Sequence, residues 1–141
     1  MISLAACGKP DVPPRPDFNV SSSVEISYKQ MKVTADVKTD ENGDLRAVIR
    51  SPEILDGISL ICNESGITAI CGEVEISNKT GYYPFAYLYD ALKKAKTTEP
   101  VSIEKSGNII KFMYDGFIIE TDELTNGIKH IETEYCDYEM R

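Results

Sequence analysis

VEISYKQMKVTADVK, residues 24–38, decides the fold of this chain, because apolar and polar side chains alternate along it in two runs. The apolar positions of the two runs are Val24, Ile26, Tyr28, Val33, Ala35 and Val37. A period of two is typical of a strand that buries one face. The stretch therefore predicts two half-buried strands, near 22–30 and 31–38.

Similar short alternating runs continue along the chain and are separated by turns rich in glycine and asparagine. The turn sequences are Asp40-Glu41-Asn42-Gly43, Asn63-Glu64-Ser65-Gly66, Lys105-Ser106-Gly107-Asn108, Tyr114-Asp115-Gly116 and Asn126-Gly127. Turns spaced by about 8–12 residues indicate an antiparallel meander. The further strands are predicted near 44–51, 57–63, 67–77, 101–105, 109–114, 117–122 and 128–136, which gives nine or ten in all.

One segment departs from this rhythm and predicts a helix. Between Pro84 and Lys96 the apolar residues recur at helical spacing, at Phe85, Leu88, Tyr89, Leu92 and Ala95. Proline suits the first turn of a helix, and lysines suit its last turn. A lone amphipathic helix buries its stripe best on the concave face of a curved sheet. We therefore expect a mainly β (α+β) fold: a strongly curved antiparallel sheet, open as a half-barrel, with one helix on its concave face.

The amino terminus predicts a lipid anchor. Leu4-Ala5-Ala6-Cys7 has the pattern of a bacterial lipobox, in which Cys7 receives diacylglycerol. Residues 1–6 would then be the remnant of a signal peptide, 7–17 a proline-rich tether and 18–141 a single domain. We expect a lipoprotein on the extracytoplasmic face of the cell membrane. The alternative is an ordinary cysteine, because only six residues precede Cys7 and none of them is basic.

Composition limits the other partners. The 141 residues carry a net charge of −8, which repels nucleic acid. No apolar run approaches the roughly 20 residues of a transmembrane helix, so lipid at Cys7 is the predicted membrane attachment.

Residues 51–60, SPEILDGISL, carry a resemblance together with Gly72 and the helix that opens at Pro84. In these features the chain is similar to lipoproteins of Gram-positive anaerobes related to the LolA-like lipoprotein-carrier superfamily. The resemblance implies a half-barrel that shelters a lipid or another apolar ligand. In that interpretation the helix and sheet supply the wall of the ligand site, at Phe85, Leu88, Leu92, Phe112 and Phe117.

A second function class stays open beside the carrier. Side chains could fill the concavity, and the domain would then serve as a structural or interaction module for an envelope or cell-wall protein. Exposed tyrosines are the candidate contacts in that case, either Tyr82-Tyr83 with Tyr87 or the stretch 135–138.

The sequence contains little evidence for a catalytic site. No nucleophile elbow, phosphate loop or HExxH motif is present, and His130 is the single histidine. Cys136 with His130 is a thiol–imidazole pair that the sequence offers. A cation could be held by His130 with Glu132 and Glu134, or zinc by the cysteines with His130, although no C-x-x-C pair is present. We expect no enzyme activity, no cofactor and no metal. The cysteines Cys62, Cys71 and Cys136 are expected to be small buried side chains, and any disulfide would involve Cys136.

Overall fold

The predicted hairpins join into one antiparallel sheet in a computed structural model, which describes residues 13–78 and 83–141. Its strands are β1 (Ser21–Tyr28), β2 (Met31–Thr39), β3 (Leu45–Ser51), β4 (Ser59–Asn63), β5 (Gly66–Cys71), β6 (Val74–Asn78), β7 (Ser102–Ser106), β8 (Ile109–Tyr114), β9 (Phe117–Asp122), β10 (Ile128–Thr133) and β11 (Cys136–Met140). Helix α1 (Tyr83–Thr97) lies between β6 and β7, and a 3-10 turn (Glu53–Leu55) follows β3. The predicted mainly β class with one helix is confirmed for the described residues.

The sheet is open, with strand order β6-β5-β4-β3-β2-β1-β11-β10-β9-β8-β7. The first and last strands pair in the middle, where Val24 lies opposite Met140 and Tyr28 opposite Cys136. The two edge strands, β6 and β7, are the ones that α1 connects. The sheet therefore consists of two meanders, residues 21–78 and 102–140, joined along the β1–β11 ladder.

The structure has eleven strands where nine or ten were predicted, because one predicted strand is a hairpin and the last strand, β11, was not predicted. The predicted strand 67–77 turns at Gly72, whose φ of +62° suits a glycine, so that Cys71 pairs with Val74. The predicted strand 128–136 ends at Thr133. The Thr133 hydroxyl accepts a hydrogen bond of 3.0 Å from the Cys136 backbone N–H and so holds a turn that carries no glycine or asparagine.

A single hydrophobic core lies between one sheet face and α1. Alternate residues of the strands are buried, as in β9 from Phe117 to Thr121. The helix contributes a stripe at helical spacing, Phe85, Leu88, Ala91, Leu92 and Ala95, to the same core cluster. The predicted helix and its apolar stripe are confirmed.

The end of the predicted tether lies against the domain. The Arg15 guanidinium donates hydrogen bonds of 3.1 Å to the carbonyls of Ala95 and Thr98, and it pairs with Glu99. Pro16 is buried, and the Asp17 N–H donates to the Asn126 carbonyl at 2.9 Å. A cation suits the carbonyl end of a helix. Residues 15–17 therefore belong to the folded unit, whereas Cys7 and residues 1–6 lie outside the described residues.

Candidate functional site

The five residues predicted to line an apolar ligand site meet in the core. Phe85, Leu88, Leu92, Phe112 and Phe117 all belong to the core cluster that joins the helix to the sheet. Leu88 and Phe112 have 0% of their surface accessible. A side chain against a ligand-sized cavity would touch water-sized space, so no such cavity borders these two residues. The interior between helix and sheet is filled at this point.

A hollow with a volume of about 500 Å³ lies at one end of the sheet, between two turns and the helix. Its wall consists of the β2–β3 turn, the β4–β5 turn, the second half of α1 and the chain entering β1. We call it the turn–helix hollow, lined by Phe18, Asn19, Thr39, Asp40, Asn42, Gly43, Asp44, Asn63, Glu64, Ser65, Tyr89, Leu92, Lys93, Lys96 and Thr97. Most of its lining residues are polar, but polar and apolar atoms contribute about equally to its surface.

Local sequence shapes the two turns of this hollow. The Asp40 carboxylate accepts hydrogen bonds from the N–H groups of Asn42 (2.9 Å) and Asp44 (3.0 Å), and Gly43 takes a φ of +85°. The Asn63 side-chain oxygen accepts a bond of 2.9 Å from the Ser65 N–H. Aspartate and asparagine close turns in this way through their own side chains. The turns are held by internal bonds, so the hollow is a preformed feature of the sheet end.

One ion pair crosses from the helix to the sheet at the border of this hollow. Lys93 Nζ lies 2.8 Å from Glu64 Oε1. The hydrogen bond lowers the pKa of the Glu64 carboxyl and raises that of the Lys93 ammonium. Tyr89 lies beside the pair, and its partial burial raises the pKa of its hydroxyl, an effect that the Lys93 charge opposes.

A second hollow, of about 300 Å³, is also lined by Glu64 and Lys93, and it shares Tyr89 with the turn–helix hollow. Cys62 lines it but is only 1% exposed. Burial, and secondarily the Asp90 charge, raises the pKa of the Cys62 thiol to about 12. The thiol is therefore protonated at neutral pH and is a poor nucleophile.

The three cysteines of the described residues are free. Cys62 lies opposite Ile67 across the β4–β5 hairpin. Cys62 and Cys136 are buried as expected, but the expectation is wrong for Cys71, which is exposed. Cys71 lies at the end of β5, next to the turn that ends the strand early, and so leaves the core.

His130 has partners that the sequence did not indicate. Its Nε2 lies 2.5 Å from Asp137 Oδ1, and its Nδ1 lies 3.8 Å from Glu120 Oε1. Both carboxylates come from neighbouring strands. Cys136 is buried on the core face, and its neighbour Asp137 points to the opposite face, so the Cys136–His130 pair is not assembled. Within the described ranges, no group of three or more His, Cys, Asp or Glu side chains could hold a metal ion.

The two tyrosine clusters predicted as surface contacts meet at the other end of the sheet. The rings of Tyr87 and Tyr135 stack with centroids 5.1 Å apart and an interplanar angle of 28°. Tyr135 is 54% exposed. A hollow of about 240 Å³ beside the stack also touches Asp115 and Phe117, and we call it the Tyr135 hollow. Tyr82 lies outside the described residues.

Sequence reasoning missed the turn–helix hollow. It identified both of its turns, Asp40–Gly43 and Asn63–Gly66, but treated each as a hairpin end. In an antiparallel meander every second turn projects from the same end of the sheet. That rule was the available signal that these two turns lie side by side.

No helix in the described part of the chain has the length and apolar character needed to span a membrane. No protein-family model, curated protein or solved structure matches this chain. The similarity to LolA-like lipoproteins therefore stays a prediction.

Proposed function

We propose that this protein is a lipid-anchored lipoprotein on the extracytoplasmic face of the cell membrane, whose domain acts as a binding module through its surface. One observation carries the choice of a module over a carrier. Leu88 and Phe112, at the centre of the predicted ligand wall, have no accessible surface. A filled core leaves the ends and outer face of the sheet for recognition of an envelope partner.

A strongly curved sheet around the helix is part of this proposal. Lys93 bonds to Glu64 beside β4, while Ala91 borders the same hollow as Phe117 at the start of β9. Six strand spacings separate β4 from β9, about 29 Å across a flat sheet. That is more than twice the ~10–12 Å diameter of a helix. A sheet that curves around α1 brings the β4 and β9 regions within reach of one helix. This supports the proposed half-barrel shape of the sheet.

The docked end of the tether supports a defined distance from the membrane. Arg15 and Asp17 are bonded to the domain, so seven residues, 8–14, separate a lipid-bearing Cys7 from the first of these bonds. Seven proline-rich residues span roughly 22 Å in the extended polyproline conformation. The anchored domain would then stand close to the membrane surface.

The carrier function implied by the family resemblance remains a prediction. It requires the helix to move away from the sheet, because the wall residues all belong to one buried core cluster. Leu92 and Phe117 lie at the borders of the turn–helix hollow and the Tyr135 hollow, where such an opening would start.

Native mass spectrometry of the chain, purified without detergent, distinguishes the two functions. We expect the bare protein mass, and no lipid in an organic extract. A stoichiometric lipid that is lost on Leu88→Asp but retained on Asp56→Asn, a control at the exposed end of the 3-10 turn, would replace the module with the carrier.

The anchor is tested separately on protein isolated from membranes of the source cells. Mass spectrometry of its first proteolytic peptide should find a diacylglyceryl group on Cys7 as the first residue. Detection of an intact peptide that begins at Met1, with Cys7 unmodified, would contradict the lipoprotein proposal.

A further inference from the structure

We infer that the turn–helix hollow binds a saccharide. This inference rests on the proposed binding module and names the class of its ligand. The hollow's volume, about 500 Å³, falls within the roughly 300–1,000 Å³ of small-molecule sites. The chemistry of its lining selects among ligands of that size.

The hollow offers polar side chains that are not used by the protein. Asn42, Asp44 and Lys96 form no hydrogen bond or ion pair through their side chains with another described residue. By contrast, Asp40 is engaged in its own turn and Glu64 with Lys93. Amide, carboxylate and ammonium groups thus remain available side by side.

This mixture of groups fits a ligand rich in hydroxyls. A carboxylate only accepts hydrogen bonds, an ammonium only donates them, and an amide does both. Hydroxyl groups donate and accept, so a sugar can satisfy all three. The carboxylates of Asp40, Asp44 and Glu64 disfavour an anionic ligand. A lipid chain is disfavoured because it would bury the polar groups of the lining without hydrogen bonds.

Two aromatic rings complete the site. Phe18 and Tyr89 are half-buried and line the hollow, Phe18 from the chain entering β1 and Tyr89 from α1. An aromatic face offers a flat apolar surface, against which the C–H face of a pyranose ring can pack while its hydroxyls reach polar side chains.

The position of the hollow agrees with a saccharide partner in the envelope. Phe18 and Asn19 directly follow the docked residues 15–17, so the hollow opens where the tether leaves the domain. Sugars at that height have two sources, the cell-wall glycan and the headgroup of a glycolipid. The chemistry recognised is the same in both.

The test is titration calorimetry on the 141-residue chain with chitotetraose, with cellotetraose, and with phosphatidylcholine vesicles containing diglucosyldiacylglycerol. We expect saturable binding to at least one probe, weakened at least tenfold by Tyr89→Ala and by Asp44→Asn. Asp115→Asn, at the opposite sheet end, is the matched control and should bind as the unchanged protein does.

Each outcome decides the inference. Binding to the soluble oligosaccharides assigns the wall glycan as source, and binding to the vesicles alone assigns the glycolipid. No binding to any probe, or binding that neither variant weakens, overturns the saccharide site. Asp44→Asn keeps the side-chain shape, so it tests the site even where Tyr89→Ala affects folding. Native mass spectrometry tests the filled core, and calorimetry tests the saccharide site. A lipid found by mass spectrometry would contradict the filled core only, so the failures of the two proposals are distinguishable.

Discussion

Tyr138 lies where α1 meets the central strand β11, and its side chain has no accessible surface. Its hydroxyl donates a hydrogen bond to the Pro84 carbonyl in the first turn of the helix. Burial raises the pKa of this hydroxyl well above its ordinary value, and the neighbouring Cys136 raises it further. A tyrosine kept neutral in this way fixes the start of the helix over the middle of the sheet.

Replacing Tyr138 with phenylalanine should lower the free energy of unfolding by about 1 kcal/mol, because one buried hydrogen bond is lost while the ring is retained. Urea unfolding followed by circular dichroism measures the change. Tyr135→Phe is the control at an exposed ring, and we expect it to change stability by less than about 0.5 kcal/mol. Equal effects of the two variants would contradict a structural role for the Tyr138 hydroxyl.

Cys62 predicts a loss of stability at alkaline pH. Its pKa is about 12 in the folded protein against an ordinary value of 9.0, so the folded state binds the proton more tightly. The contribution is complete below pH 9 and is lost as the pH rises from about 9 towards 12. We expect the stability of Cys62→Ala to fall less steeply over this window than that of the unchanged protein. Parallel curves from urea titrations at pH 8, 9.5 and 11 would argue against the buried thiol.

Cys71 should be the reactive thiol of the folded domain. It is exposed, whereas Cys62 and Cys136 are buried and burial raises the pKa of both thiols. With Ellman's reagent, Cys71→Ser should remove one equivalent from the fast phase, and Cys136→Ser should remove none. Fast reaction of Cys136 in the native protein would show that the β11 end of the core opens readily.

At the scale of elements, the carboxyl end of α1 is capped by a residue from far away in the sequence. Arg15 donates to the carbonyls of Ala95 and Thr98, 80 and 83 positions later. The last carbonyls of a helix have no partners within it, so a guanidinium stabilises them. The same contact fixes the point at which the tether leaves the domain.

Arg15→Ala should therefore loosen the helix end and the tether together. Hydrogen exchange measured by mass spectrometry should be at least several-fold faster in peptides covering residues 93–99 and 13–20. Arg50→Ala removes an arginine whose partner is the exposed Asp36, and it should leave both peptides unchanged. Unaltered exchange in Arg15→Ala would mean that the guanidinium does not hold the helix end.

Individual elements could largely be predicted from the sequence where the signals are local. The alternation in β1 and β2 and the stripe of α1 each follow one periodicity, and the structure confirms them. Strand β11 was missed because its turn depends on the Thr133 side chain and not on a glycine or asparagine. Gly72 carried a visible turn signal, but the apolar residues on both sides of it favoured one long strand.

At the scale of the whole molecule, the β1–β11 ladder joins the two meanders. These strands lie more than 100 residues apart in sequence, as Val24 and Met140 do. Contacts so distant close a large loop and slow folding. Each meander alone would present a long open edge in place of this ladder.

Removal of residues 136–141 should therefore abolish cooperative folding, because it deletes the strand that joins the halves. Loss of the sigmoidal thermal transition in circular dichroism is the expected result. A chain ending at Met140 is the control, since it lacks only Arg141, whose side chain makes an exposed pair with Glu25. A normal transition in the shorter chain would show that one half folds on its own.

The strand order and the turn–helix hollow could not be predicted from local patterns. Nothing near residue 24 or residue 140 indicates that these positions are neighbours. Gly43 and Glu64 border one hollow only because β2–β3 and β4–β5 turn at the same end of the sheet. Periodicity indicates which face of a strand is buried. A hollow between turns depends instead on which strands are neighbours in the sheet.

The central pairing of β1 with β11 also places Arg141 beside the start of the first strand, since the Arg141 N–H donates to the Ser23 carbonyl at 2.8 Å. The sheet therefore permits circular permutation, in which the two ends are joined and the chain is opened at a surface turn with the strand order unchanged. The exposed turn at Gly107 is a position at which the chain could be opened. The whole domain could also be inserted into a surface loop of a second protein, because the two halves of that loop would connect to adjacent strands, β1 and β11.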